Sequence, residues 1–291
     1  MKALFVIVSI RITSHKYDSF SSFPVFVDLE LKSDVVKWKF DGQTIAGGNG
    51  EGDKLNQLSY PWGIYVDQQQ QHIYIADCGN NRILKWKLGE NEGQIVAGGN
   101  GQGTQIDQLN MPTDVILDKK NKSLIICDCG NKRIVQWSLQ NLNGDKEILI
   151  ENISCFALMM NENGDLFISD WENHSVRRWR KGEIERIVAG GNGQGNQLNQ
   201  LNKPTNIFID REETVYVSDS KNHRVMKWLK GAREGIVVAG GQGRGNSLKQ
   251  LNRPYGLVVN EVGDVYVTGY RNHRIMCWPL GSKEGRVVVG G

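Results

Sequence analysis

The sequence predicts an all-β fold, a six-bladed β-propeller of four-stranded antiparallel blades, on three observations. Six tryptophans, Trp38, Trp86, Trp137, Trp179, Trp228 and Trp278, each close a short apolar run and recur at intervals of 48, 51, 42, 49 and 50 residues. A fixed period of this length marks a repeat architecture, in which one supersecondary unit buries its faces against copies of itself. Around each tryptophan the same unit is legible, for example PWGIYVD from Pro61, HIYIAD from His72, RILKW from Arg82 and QIVAGG from Gln94. These are four short runs rich in Val, Ile and Tyr, bounded by Gly, Asn, Asp or Pro, as strands require. The third observation is what is missing: no stretch sustains a helical period, and 34 glycines against six prolines point to many tight turns.

A single twisted meander cannot bury both faces, whereas radial stacking of such sheets does so and leaves short edges. The unit boundaries read as about 3–48, 61–99, 112–150, 153–191, 204–241 and 254–291, one propeller over residues 1–291. The tryptophans then pack between neighbouring blades. Blade one lacks the proline-led run. Aligning Trp38 with Trp86 places Val25-Phe26-Val27 as its second strand, so its first strand must come from Ala3 to Ser9. The same residues meet the minimum for a short secretory signal within 1–22, Lys2 standing ahead of an apolar stretch, but Arg11 follows and no small-x-small cleavage site is obvious. The strand reading is preferred, and with it a cytoplasmic over a secreted chain. Val289-Gly290-Gly291 closes the sixth unit, so blades one and six are expected to meet by packing alone.

Composition sets the outer limits. With 39% hydrophobic and 23% charged residues the chain is globular, and a net charge of +3 does not demand a polyanionic partner. No run approaches a membrane span. The five cysteines are odd in number and include no CxxC, so they read as buried free thiols rather than a disulfide framework or zinc site. Sequons stand at Asn121, Asn152 and Asn173, a triplet common by chance.

The turn between the second and third strands carries a recurring pattern. It reads Asp77-Cys-Gly-Asn80-Asn-Arg82, Asp128-Cys-Gly-Asn131-Lys-Arg133 and Asp219-Ser-Lys-Asn222-His-Arg224. Asp170-Trp-Glu-Asn173-His-Ser175 loses the arginine, and Gly269-Tyr-Arg-Asn272-His-Arg274 loses the aspartate. A strand-ending Asp can accept from the N–H groups of the turn, Asn tolerates left-handed backbone, and the arginine can bridge to a neighbouring blade or carboxylate. Recurring in register from about Pro24 to Gly291, this resembles the NHL repeat. WD-type propellers would show Gly-His and Trp-Asp pairs, and kelch units would not explain Asp-x-x-Asn-x-Arg. Some NHL domains belong to tripartite-motif ligases, but no RING, B-box or coiled coil is present, so ligase activity does not carry over.

Several motifs invite sharper readings that the repeat itself explains. Asp77, Asp128, Asp170 and Asp219 recur one per blade, as scaffold carboxylates do. The connectors GGNGEG, GGNGQG and GGQGRG resemble phosphate loops, yet no helix follows to offer an N-terminus to an anion. His174, His223 and His273 share one turn position; lyases resembling this family use zinc-bound histidines, but copies spread around a ring stand too far apart to share a metal. No catalytic residue, metal ligand or cofactor is therefore assigned.

Function on such folds is expected where loops depart from the repeat. The residues leading into the first strands and the turns after the second strands share one face. They offer Trp62, Thr113, Asp114, Trp171, Lys203, Asn206, Lys221, Arg253, Tyr255, Tyr270 and Arg271 as a binding face. Large aromatics beside arginine are the usual anchors of an interface. The favoured reading is a non-catalytic, monomeric platform for a protein or peptide. One alternative is single-stranded RNA, basic residues meeting phosphates and aromatics stacking bases. The other is a metal-dependent lyase or lactonase-like enzyme with a channel site near Asp114 and Asn206.

Overall fold

The structure, a computed structural model, describes residues 6–7, 26–27, 44–140, 145–183 and 185–290. The chain forms two compact units, Met1–Glu151 and Asn152–Gly291. In the first, β1 (Val6–Ile7) pairs with β2 (Phe26–Val27), Val6 opposite Val27. Two four-stranded sheets follow: β3 (Pro61–Asp67), β4 (His72–Asp77), β5 (Arg82–Lys87) and β6 (Gln94–Gly98), then β7 (Pro112–Asp118), β8 (Ser123–Asp128), β9 (Arg133–Ser138) and β10 (Lys146–Glu151). The second unit has three: β11 (Cys155–Met160) to β14 (Arg186–Gly190), β15 (Pro204–Ile209) to β18 (Ile236–Gly240), and β19 (Pro254–Val259) to β22 (Arg286–Gly290). Between them lie β12 (Leu166–Asp170) and β13 (Ser175–Trp179), β16 (Val215–Asp219) and β17 (Arg224–Trp228), and β20 (Val265–Gly269) and β21 (Arg274–Trp278).

Each sheet is an antiparallel meander, so the fold is an all-β propeller of four-stranded blades. The described residues hold five such blades, not the six expected. The missing count is blade one: of the stretch 3–48, only residues 6–7, 26–27 and 44–48 are described, and the first two form a two-stranded pair. Trp38 lies outside the described residues. The strands expected at Ala3 to Ser9 and Val25-Phe26-Val27 meet in that pair; the third, ending at Trp38, lies outside the described residues, and residues 44–48 form no strand.

Three of the tryptophans pack between neighbouring blades as the period places them. Trp137 packs with Tyr74, Ala76 and Ile83 of the preceding blade, Trp228 with Phe167 and Val176, and Trp278 with Tyr216 and Val225. Burying such a ring removes 150–250 Å² from water, roughly 4–6 kcal/mol of hydrophobic stabilisation before entropy is counted. Close glycines complete the seat: a Cβ on Gly235 or Gly285 would meet the Trp228 or Trp278 ring at 2.8 Å.

The Asp-x-x-Asn-x-Arg turn is a clamp on the connector that precedes its blade. Asp128 ends β8 opposite Arg133, which begins β9. Its carboxylate accepts from the Asn110 N–H at 2.7 Å, Asn131 Nδ2 at 2.8 Å and Arg133 Nε at 2.7 Å. The other guanidinium nitrogens donate to the carbonyls of Thr104, Gln105 and Gln108, and Asn131 Nδ2 also reaches Gly103 O. Asp77 with Arg82 and Asp219 with Arg224 repeat the arrangement. The Gly-rich connectors are thus ordered loops, each closed by a parallel bridge such as Gln102 to Leu109. Burial pushes the Asp77 and Asp219 carboxyls upward, and their asparagine, arginine and backbone donors draw them back. Where Ser175 replaces the arginine, Arg177 reaches Asp170 instead, at 2.8 Å. That blade follows the short connector, which has no Gly-rich loop for a guanidinium to hold.

The histidines link successive blades. Asn81, His174 and His223 hold the left-handed position after the turn, with φ of 52, 53 and 55°. Their side chains accept from the next blade: Asn81 Oδ1 from Met111 N–H at 2.9 Å, His174 Nδ1 from Lys203 N–H and His223 Nδ1 from Arg253 N–H, both at 3.1 Å. Cys78, Cys129 and Cys277 carry free thiols. The expectation of free thiols fails at Cys127 and Cys155, which are disulfide-bonded; bonding needs a Cα spacing that sequence separation does not reveal.

Asp128→Ala strands the Arg133 guanidinium, buried and uncompensated, so urea unfolding should show a loss of about 3–5 kcal/mol. Lys87→Ala, which removes a largely exposed pair with Glu90, should shift stability by no more than about 0.5 kcal/mol. The histidine links add a pH dependence. Burial lowers the basicity of both rings, helped at His174 by Lys203 and at His223 by Arg244, Arg253 and Lys221, while Asp170 opposes at His174. Their contribution is complete above about pH 6.5 and is lost as pH falls through the lower folded-state values. The double variant His174→Asn/His223→Asn keeps an acceptor of the Asn81 kind. The stability difference from wild type should therefore shrink or reverse on acidification, read from melting midpoints between neutral and mildly acidic pH.

Candidate functional site

In the second unit the residues leading into the first strands and the turns after the second strands build one aromatic and cationic cluster. Phe156, second residue of β11, stacks on Trp171 with ring centroids 5.4 Å apart at 21°. It meets Tyr255, second residue of β19, edge-on at 5.7 Å, and Tyr255 lies 4.9 Å from Tyr270. Lys203 Nζ stands 5.2 Å over the Trp171 ring and the Arg271 guanidinium 5.6 Å over Tyr270. The attraction of each cation to a ring face fixes long side chains that would otherwise roam.

Two backbone devices aim the basic residues. Lys203 and Arg253 precede the prolines that open β15 and β19, and both adopt left-handed backbone, with φ of 54 and 50°. That conformation is costly for a side chain with a Cβ, of order 1 kcal/mol or more. The His174 and His223 links hold it in place. Lys221 and Arg271 occupy the second-to-third-strand turns, exposed to solvent. Burial lowers the Lys221 ammonium's pKa, and Arg253, Lys203 and Arg271 lower it further. Burial pushes the Tyr255 hydroxyl up to about 12, with Tyr270 adding to the rise and Arg253 and Arg271 opposing it.

Of the residues expected on the face, the structure brings together Trp171, Lys203, Lys221, Arg253, Tyr255, Tyr270 and Arg271. Tyr270 is largely buried, as base of the cluster rather than its surface. Asn206 lies half-buried in β15, two residues beyond Pro204. Sequence reading missed Phe156. Its signal was positional: it occupies the place held by Trp62, Thr113, Thr205 and Tyr255 at the start of the other first strands.

The first unit places its three candidates differently. Trp62 is 36% exposed, beside exposed Tyr60, with Met111 exposed in the next blade. A hydrogen bond from Trp62 meets the buried Cys78 sulfur. Thr113 and Asp114 are buried. Asp114 Oδ1 accepts from the Val115 N–H at 2.9 Å, and a Cβ on Gly63 would meet that oxygen at 2.2 Å. The two blades pack together here at glycine distance, so Asp114 works within the seam.

Comparison with known proteins bears on the fold. The family model of the NHL repeat matches residues 58–86, the last three residues of a connector followed by β3, β4 and most of β5. No curated protein matches the chain in sequence. Among solved structures, a chain of a nidogen/laminin complex is similar with a TM-score of 0.62 and 16% identity, covering 81% of this chain and 82% of that one. A gluconolactonase from Xanthomonas campestris gives 0.59 and 15% over 82% and 79%, and a streptogramin B lyase 0.57 and 10% over 81% and 72%. At such identities the likeness is one of fold. The chain thus carries an NHL repeat on a β-propeller of four-stranded antiparallel blades.

Proposed function

We propose that the chain is a non-catalytic recognition module that binds an acidic protein or peptide segment on the cluster of the second unit. The observation that carries this is the gathering of Lys203, Lys221, Arg253 and Arg271, in which, after burial, the three other cations lower the Lys221 pKa. Mutual repulsion is a standing cost that an anionic partner removes.

The aromatic packing separates a peptide from single-stranded RNA. Base stacking needs open ring faces. Here Trp171 is sandwiched between Phe156 and Lys203, and Tyr270 is buried under Tyr255 and Arg271. The rings serve as a rigid floor that positions cations. The metal-dependent enzyme reading has less to build on: among the described residues no three His, Cys, Asp or Glu side chains gather as a ligand set. Likeness to a lyase and a gluconolactonase transfers fold and no residue.

Fluorescence anisotropy with a labelled glutamate-rich decapeptide should show binding that weakens with salt. Lys221→Glu with Arg271→Glu should weaken it by about tenfold or more, the scale of losing close charge pairs. Lys203→Gly and Arg253→Gly should weaken it several-fold while leaving the melting midpoint unchanged or raised, because glycine relieves the left-handed strain. Tighter capture of an oligouridylate of equal length, with a steep salt slope, would favour RNA. Peptide affinity indifferent to the charge reversal would discard the proposal.

A further inference from the structure

The last blade contains an incomplete clamp. In three blades the strand-ending aspartate faces the arginine across the ladder: Asp77 opposite Arg82, Asp128 opposite Arg133, Asp219 opposite Arg224. In each the arginine Nε donates to the carboxylate at 2.7–2.8 Å. In the last blade the same ladder position pairs Gly269 with Arg274.

The guanidinium has nonetheless kept its place. Arg274 Nη1 donates to Asn246 O at 2.7 Å, and Nη2 to Ser247 O at 2.9 Å and Gln250 O at 3.2 Å. These are the carbonyls that correspond to the ones Arg133 and Arg224 hold. With both terminal nitrogens fixed, Nε is turned to the side where a carboxylate would stand on residue 269. Arg274 is 8% exposed, and its Nε has no hydrogen-bond partner among the described residues. Asn272 Oδ1, beside Gly269, is likewise unpartnered, while its Nδ2 holds Gly245 O as Asn80, Asn131 and Asn222 hold their connector carbonyls.

A buried guanidinium whose bonds go only to carbonyls keeps its full charge in a poorly polarisable surrounding. Water could satisfy the Nε hydrogen bond but would leave that charge uncompensated. We propose that the gap at Gly269 is a binding site for one small monovalent anion, of the size of chloride or formate. It would take the place of the missing carboxylate on Arg274 Nε, with Asn272 Nδ2 redirecting to the anion the proton it now gives to Asn246 Oδ1 at 3.0 Å, as its counterparts give theirs to the aspartate. Burial alone depresses the Arg274 pKa, consistent with a cation awaiting its counter-charge. Gly269 has ordinary backbone, and a Cβ there would stand 3.2 Å from Asn272, so a side chain fits if that asparagine gives by a few tenths of an ångström. The site does not depend on what the cation cluster above it binds.

The test uses the full chain at constant ionic strength, exchanging the bulky anion isethionate for chloride or for formate. The melting midpoint of wild type should rise saturably by a few degrees, and chloride-35 resonances should broaden in its presence and sharpen again when formate competes. Gly269→Asp, which supplies the carboxylate covalently, should melt higher than wild type and lose both effects. Should that variant fail to fold, the competition between formate and chloride in wild type still decides. A wild-type midpoint indifferent to the anion, without line broadening, would assign the gap to water and overturn the proposal. So would an anion response that persists unchanged in folded Gly269→Asp.

Discussion

A buried guanidinium at the start of the third strand ties four of the five described blades to the loop that delivers them. Arg82, Arg133, Arg224 and Arg274 each hold carbonyls of a connector 24–29 residues upstream, reaching across the blade to a segment outside the four-stranded sheets. A connector rich in glycine and glutamine has little apolar surface to bury and would stay mobile on hydrophobic grounds alone. Its orphan carbonyls become an asset because one planar cation can satisfy three at once. The aspartate then neutralises that cation, and the asparagine closes the turn. Tryptophan burial supplies most of the driving force for stacking, but the clamp fixes where the next blade begins.

The departures from the clamp are informative because the rest is so regular. Ser175 stands where the preceding connector is short, and Arg177 takes over the aspartate, so carboxylate and cation remain balanced. Gly269 stands where the connector is of full length, and there the balance is lost. The first case is a compensated substitution within one blade. The second leaves a cation in place without its counter-ion, which is why it reads as a site rather than as drift.

The same turns carry the candidate binding face, so scaffold and recognition share a loop. Residues of the signature point inward and clamp; of the residues between them, Lys221 and Arg271 are exposed, while Trp171 and the buried Tyr270 form part of the aromatic floor. The αL position that follows adds a link to the next blade through Asn81, His174 or His223, and so sets the left-handed residue carrying Lys203 or Arg253. Recognition residues are thereby held by a neighbour's backbone hydrogen bond, which lets long basic side chains be displayed with little disorder. Two of the histidines that resembled metal ligands, His174 and His223, are acceptors for this link.

The sequence by itself determined the repeat: its period, the four runs per blade, the clamp turn and the tryptophan seats all follow from local pattern, since each copy obeys the same steric and hydrogen-bonding rules. It also marked most of the second unit's cluster, because Trp171, Tyr255, Tyr270 and their basic neighbours break a pattern that can be read in one dimension. Tertiary structure alone decided the rest. That Phe156 completes the aromatic floor, that Asp114 lies in a seam against Gly63, that His174 accepts from Lys203, and that Cys127 and Cys155 are not free all depend on distances between residues far apart along the chain. The blade count divides the same way. Five full meanders form among the described residues, one of them led by Cys155 where the others have proline, whereas of the sixth expected over 3–48 only the Val6–Ile7 and Phe26–Val27 pair is described as strand.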